Sequence, residues 1–174
     1  MAINATPGSP TANSYATLIE ADAYHATRLH NSAWTSATDP IKEAALIWAT
    51  RTIDDNMFWQ GVRSTEDQSL EWPRQSVVDE DGFVIDFDIV PVRVKNAQAE
   101  QAFLLIKSDP TIGVDPKSPA ALKSVKASTI DIKFESADRP SILNASVVSQ
   151  LQIYGVFSGV GTNKKSRTVN VVRS

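Results

Sequence analysis

The chain has 174 residues, 42% of them hydrophobic and 21% charged, enough for one domain with an ordered core and some length left over for arms. A formal net charge of −3 excludes the overall cationic field of a general nucleic-acid binder, although a local basic patch is still compatible with it. The absence of cysteine removes disulfides, thiolate metal sites and thiol nucleophiles together.

The opening Met1-Ala2-Ile3-Asn4-Ala5-Thr6 has neither the basic start nor the apolar centre of a signal peptide. No stretch approaches the ~18 consecutive apolar residues that would span a bilayer. A soluble protein made in a reducing cytoplasm is the expectation. Residues 1–13, rich in Ala, Thr, Ser, Pro and Gly, read as a flexible arm. Thr17-Leu18-Ile19-Glu20 then has the form of a capping box, in which the threonine hydroxyl and the glutamate each satisfy a free backbone N–H. A helix is predicted from Leu18 to about His30, interrupted by the polar run Asn31–Thr38.

Asp39-Pro40 supplies an N-cap and a proline at the first helical position, and the helix it starts should run to about Asn56. Its centre, Ala44-Ala45-Leu46-Ile47-Trp48-Ala49, is apolar on every side, which predicts enclosure by neighbours, some of them from another subunit. Residues 57–91 break the helical period. They read as a long ordered loop anchored by Trp59 and Trp72, with a turn at Asp79-Glu80-Asp81-Gly82 between extended pieces Ser76–Val78 and Phe83–Ile85.

Another helix should run from about Pro91 to Lys107, stopped by Asp109-Pro110. After a turn-rich connection, Ile130-Asp131-Ile132-Lys133-Phe134 alternates as a half-buried strand does. A last helix from about Ser141 to Tyr154 places Leu143, Val147, Leu151 and Tyr154 on one face, with Gly155 as its C-terminal cap. From Val156 the composition changes. Lys164, Lys165, Arg167 and Arg173 stand without a single acid, and Thr168–Val172 is β-prone. The expected fold is therefore mainly α: a small bundle of about four helices at 14–155, with a long ordered loop, a short β-hairpin and an extended basic arm at 156–174.

Catalytic and metal groupings find no support. His25 and His30 are five apart and fall on different faces of a helix, unlike an i, i+4 zinc pair. Glu20/Asp22, Asp54/Asp55 and Asp79/Glu80/Asp81 show nothing that would split two pKa values in one cleft, and the last reads better as a solvated turn than as a calcium loop. No phosphate-binding loop or nucleophile elbow occurs. No catalytic residue, cofactor or metal is expected. Trp48, Trp59, Trp72 and Arg74 are candidate subunit-interface or loop anchors, since tryptophan offers a large apolar face and one N–H. Stacking of single-stranded DNA needs a basic groove as well, and Arg63 and Arg74 are outweighed by Glu66, Asp67 and Glu71. The arm, with Lys164, Lys165, Arg167, Val169, Val171 and Arg173, is a candidate docking segment for a partner's sheet edge.

Several of these pieces occur together and in order: Ser14-Tyr15, Glu20-Ala21-Asp22-Ala23-Tyr24, Lys42-Glu43-Ala44-Ala45-Leu46, Ile53-Asp54, Trp59-Gln60-Gly61-Val62-Arg63 and Gln68-Ser69-Leu70-Glu71-Trp72-Pro73-Arg74. In this arrangement, from Ser14 to about Glu135, the chain resembles a family of tailed-phage head–tail adaptors, or connectors, that is also labelled DnaT-like single-stranded-DNA-binding protein. The resemblance implies a helical protomer that closes into a ring of about twelve copies beneath the portal. Its implied partners are further copies of itself, the portal protein, and a tail or tail-completion protein. Double-stranded DNA would pass through the lumen without sequence-specific binding, and no membrane is involved. The implied location is the virion neck, after synthesis in the host cytoplasm, and the implied role of the basic arm is portal docking. The other label implies a single-stranded-DNA-binding replication accessory.

Overall fold

The computed structural model describes residues 2–108, 124–127, 130–133 and 142–158. Within them are five helices and three two-stranded antiparallel pairs, so the fold is mainly α. Helix α1 (Leu18–Ala26) starts at the predicted capping box, with Thr17 accepting from the Glu20 N–H and Glu20 reaching back to the Thr17 N–H at 2.7 Å. It stops four residues short of His30. The polar run that follows contains one short helical turn, α2 (Ser32–Thr35), which presents Trp34 to the interior.

Helix α3 (Asp39–Asn56) has the predicted length, with Thr38 rather than Asp39 as its cap residue. Helix α4 (Val92–Lys107) begins directly after Pro91, as expected. These two long helices pack along each other, and a core lies on either side of their contact. One core gathers Trp34, Leu46, Ala102 and Phe103 beneath α1 and α2. The other gathers Tyr15, Ile53, Trp72, Val94, Leu143, Val147, Leu151 and Tyr154 beneath the long loop and α5 (Ala145–Leu151).

Gln98 sits between the cores, fully buried. Its Oε1 accepts from the Ala16 N–H at 2.8 Å, and its Nε2 donates toward Ser14 Oγ, Thr50 Oγ1 and the Leu46 carbonyl. A buried amide satisfied in this way fixes the register of three segments, because any slip leaves a polar group unpaired.

Three expectations change. The all-round apolar centre of α3 is covered within its own chain: Ala45, Leu46, Ile47 and Ala49 are buried beside α4, while Ala44 is exposed, so no second subunit is needed to enclose it. The N-terminal segment is tied down rather than loose. Asn4 N–H bonds Asn13 Oδ1 at 2.8 Å, and Ser69 Oγ and N–H both donate to the Ser9 carbonyl. Gly155 is no helix cap; α5 ends at Leu151, and Gly155 opens a strand. In that strand, β6 (Gly155–Phe157), it faces Trp59 of β1 (Met57–Trp59), and a Cβ there would lie 2.5 Å from the Phe58 carbonyl oxygen. The start of the expected arm thus belongs to the domain, ending in a bond from the Ser158 N–H to the Asn56 carbonyl at 2.8 Å.

The predicted strand near Ile130 is present as β5 (Ile130–Lys133), paired with β4 (Ser124–Ala127). Residues 159–174, which carry the six candidate docking residues from Lys164 to Arg173, lie outside the described residues.

Candidate functional site

The residues around Trp59 and Trp72 form an internal clasp. Strand β2 (Val62–Arg63) pairs with β3 (Arg74–Gln75), closing the loop on itself. The turn between β1 and β2 passes so near β3 that a Cβ on Gly61, at φ +68°, would lie 2.1 Å from the Gln75 carbonyl oxygen; only glycine fits. Arg74 is buried and donates to the carbonyls of Gln60 at 2.7 Å, Gly61 at 2.9 Å and Glu71 at 3.1 Å, and it pairs with the Glu71 carboxylate at 2.6 Å. Gln68 satisfies the rest of the loop, donating to the carbonyls of Leu70 and Pro73 and accepting from the Thr65 N–H.

Trp72 is 1% exposed, edge-on to Trp59 at 5.7 Å and to Tyr154 at 5.5 Å. Trp48 packs partly buried against the other core. Arg74→Ala would leave three carbonyls without their donor and should cost about 2–3 kcal/mol. A lower urea midpoint at unchanged slope in equilibrium unfolding checks this.

The interior placement of Tyr15 and His25 was not read from the sequence. Tyr15 donates its hydroxyl to Asp54, whose other oxygen lies 3.4 Å from the Glu71 N–H. Burial pushes the Asp54 carboxyl up to about 7. His25 is interior, stacked against Trp34 and Phe103, with Nε2 3.1 Å from the Ala99 carbonyl, and burial lowers its pKa. Nearby, Arg28 makes a two-point pair with Glu100 at 2.7 and 2.9 Å while lying over the Phe103 ring. Each of these groups braces the fold. Among the described residues, no cluster of three or more His, Cys, Asp or Glu side chains could hold a metal ion.

The surface of the loop has a different character. The turn at Asp79–Gly82 forms as predicted, with Asp79 Oδ1 accepting from the N–H groups of Asp81 and Phe83 and a bridge between Val78 and Val84. Beyond it, Phe83, Val84 and Phe87 are 72%, 73% and 63% exposed, and Ile89 and Val92 are also open. The same stretch of chain carries Asp79, Glu80, Asp81, Asp86 and Asp88, and the one cation between Gln75 and Val94, Arg93, pairs with Glu80 at 2.8 Å. A recess of about 160 Å3 beside the turn is lined by Asp79, Glu80, Asp81, Arg93, Ile153 and Tyr154. A second open apolar spot is the cross-strand pair Phe58 and Val156.

A family model described as "Putative DnaT-like ssDNA binding protein" matches residues 1–174. The chain belongs to that family. No curated protein and no solved structure matches it. The DnaT-like family's description concerns single-stranded DNA and does not mention phage heads or tails. For this DnaT-like chain, the interior positions of Trp34 and Trp72 leave Phe58, Phe83 and Phe87 as exposed aromatics on which a base could stack.

Proposed function

We propose that this DnaT-like family member is a non-catalytic assembly protein, a head–tail adaptor of a tailed bacteriophage whose copies close into a ring beneath the portal. The observation that supports this is the open face of Phe83, Val84, Phe87 and Ile89, apolar aromatic surface that this chain's described residues leave uncovered. Burying such residues contributes about 25 cal/mol per Å2, and a contact between unlike faces of identical copies propagates around an axis into a ring. A net charge of −3 suits a channel protein, because fixed cations would hold passing phosphates. Mass spectrometry of purified virions tests the location: the protein should be present at one ring per particle, about twelve copies. Its absence from particles would remove the adaptor reading.

The family description favours a second reading, a single-stranded-DNA-binding accessory protein. Stacking on Trp72 does not fit an indole ring packed into the interior, and the partly buried Trp59 lies edge-on against it. Stacking on Phe83 or Phe87 would bring phosphates against five carboxylates. A labelled single-stranded oligonucleotide at physiological salt should therefore bind no tighter than the roughly micromolar range of non-specific contacts. Sub-micromolar binding that falls with salt and with Phe83→Ala or Phe87→Ala would replace the adaptor with the DNA-binding role.

A further inference from the structure

We infer that residues 17–38 form a cap over the α3–α4 pair that acid releases as a unit, with His25 as the group that responds first. The segment is an excursion between two fixed points. Before it, the Ala16 N–H is held by Gln98 Oε1 at 2.8 Å; after it, Thr38 caps the long helix α3. Across the excursion only Ala21, His25 and Trp34 are buried, with Leu18, Tyr24 and Ala33 partly covered, while Ile19 and Leu29 are 81% and 82% exposed. A short helix is held in place chiefly by the face it buries. In α1 the buried face is one alanine and one histidine.

That histidine is set up to be neutral. Its Nε2 lies 3.1 Å from the Ala99 carbonyl, which can only accept, so the ring proton sits on Nε2. Its Nδ1 is buried and has no partner among the described residues. The ring lies against Trp34 at 4.3 Å and Phe103 at 5.7 Å, with Tyr24 edge-on at 5.1 Å. A second proton, on Nδ1, places a cation in an aromatic slot with no acceptor for it, which a dry interior resists. The carboxylates that face it are already engaged: Asp22 with Lys42 of α3 and the Trp34 indole, Glu100 of α4 with Arg28. Arg28 itself repels the new charge. Burial lowers the His25 pKa, so the stability it contributes is present above the ordinary 6.5 and is lost as pH falls through the folded value.

The remaining fastenings respond in the same direction at lower pH. Glu20–Lys95 at 2.6 Å, Asp22–Lys42 at 2.9 Å and Arg28–Glu100 at 2.7 Å join the cap to α4 and α3, and each needs an ionised carboxylate. The far side of the helix pair responds oppositely, because the buried Asp54 is stabilising when it holds its proton. Acid therefore loosens one side of the α3–α4 pair and firms the other, and the cap leaves before the rest unfolds. Its release uncovers the apolar surface of Leu46, Ala102 and Phe103. The inference does not rest on the adaptor reading.

Hydrogen–deuterium exchange of the full-length chain from pH 8 to pH 5 tests it, with each rate corrected for the intrinsic pH dependence of exchange. Protection within 18–37 should fall below about pH 6.5, by up to about tenfold per pH unit for uptake of one proton. Protection within 145–151 should not fall with it. In His25→Gln, whose amide can still donate to the Ala99 carbonyl, the pH dependence of 18–37 should disappear over this range. Ring resonances of the parent read the group directly, whether or not that variant folds: His25 should carry its proton on Nε2 at pH 8 and titrate with a midpoint below 6.5. Level protection within 18–37 overturns the inference, as does an equal loss within 145–151, which would be global unfolding. So does a fall in His25→Gln as steep as the parent's, or a His25 midpoint at or above 6.5.

Discussion

Trp72→Ala should cost about 3–5 kcal/mol of folding stability, as large-to-small changes of buried aromatics do. The indole is the meeting point of the loop, the N-terminal segment and α5: it lies edge-on to Trp59 and Tyr154 and in one core with Tyr15, Ile53 and Leu151. Removing it opens a cavity bordered by all three elements. Equilibrium unfolding in urea checks the loss. The same variant separates packing from DNA contact. Any fall in DNA binding by Trp72→Ala should follow the unfolded fraction and disappear once that fraction is corrected for. Phe87→Ala, at an exposed site, should leave stability within about 0.5 kcal/mol of the parent.

The stability contributed by Asp54 should fall as pH rises from about 4 to about 7. Burial raises the Asp54 carboxyl from its ordinary 3.8 to about 7, so between those values the folded chain holds a proton that the unfolded chain has released. Stability contributed by that proton is complete below the unfolded pKa and is lost as pH climbs through the folded one. A separation of this size corresponds to a total on the order of 4 kcal/mol. Glu71 and Asp55, both acidic and both near, push in the same direction, while the Tyr15 hydroxyl and the Glu71 N–H partly favour the charged form.

The surface carboxylates act oppositely. Lys95 and Thr17 hold Glu20 below its usual value, and Lys42 and Trp34 do the same for Asp22; their contributions are present above the unfolded pKa and disappear as pH drops. Burial also lowers the His25 pKa, so its contribution grows as pH rises toward the ordinary 6.5 and opposes that of Asp54. The Asp54 share is therefore read as a difference: between pH 5 and 8, urea midpoints of the parent should fall relative to those of Asp54→Asn. Parallel profiles for the two chains would show that Asp54 is ionised in the fold.

Helices were legible in the sequence where a local signal coincided with periodicity. Pro40 and Pro91 each mark the start of a long helix within a residue or two, and Thr17-Leu18-Ile19-Glu20 marks α1, because capping and proline chemistry act over a few residues. The face of α5 was also readable: Leu143, Val147, Leu151 and Tyr154 are all buried. Gly155 misled, since a glycine that ends a helix and one that lets two backbones approach look alike until the partner strand is known.

The candidate surface was harder to see. The sequence singled out Trp48, Trp59, Trp72 and Arg74 as subunit-interface or loop anchors, but which side of an irregular loop faces outward depends on contacts distant in sequence, so nothing local marked Phe83 and Phe87 as exposed. The apolar centre of α3 pointed to a surface that other subunits would have to cover, yet α4 covers it. The uncovered apolar area lies some thirty residues later, in the loop that follows β3. Tyr15 and Asp54, 39 residues apart, gave no signal of their pairing at all.

The adaptor account depends on one property: alone, the protein leaves apolar loop surface that a neighbouring copy covers once a portal is present. Native mass spectrometry of the purified full-length chain, with and without assembled portal rings, measures this directly. The account predicts a discrete complex carrying one ring of copies per portal, lost on Phe83→Ala/Phe87→Ala. A chain that remains a single folded copy in the presence of portal rings would contradict it.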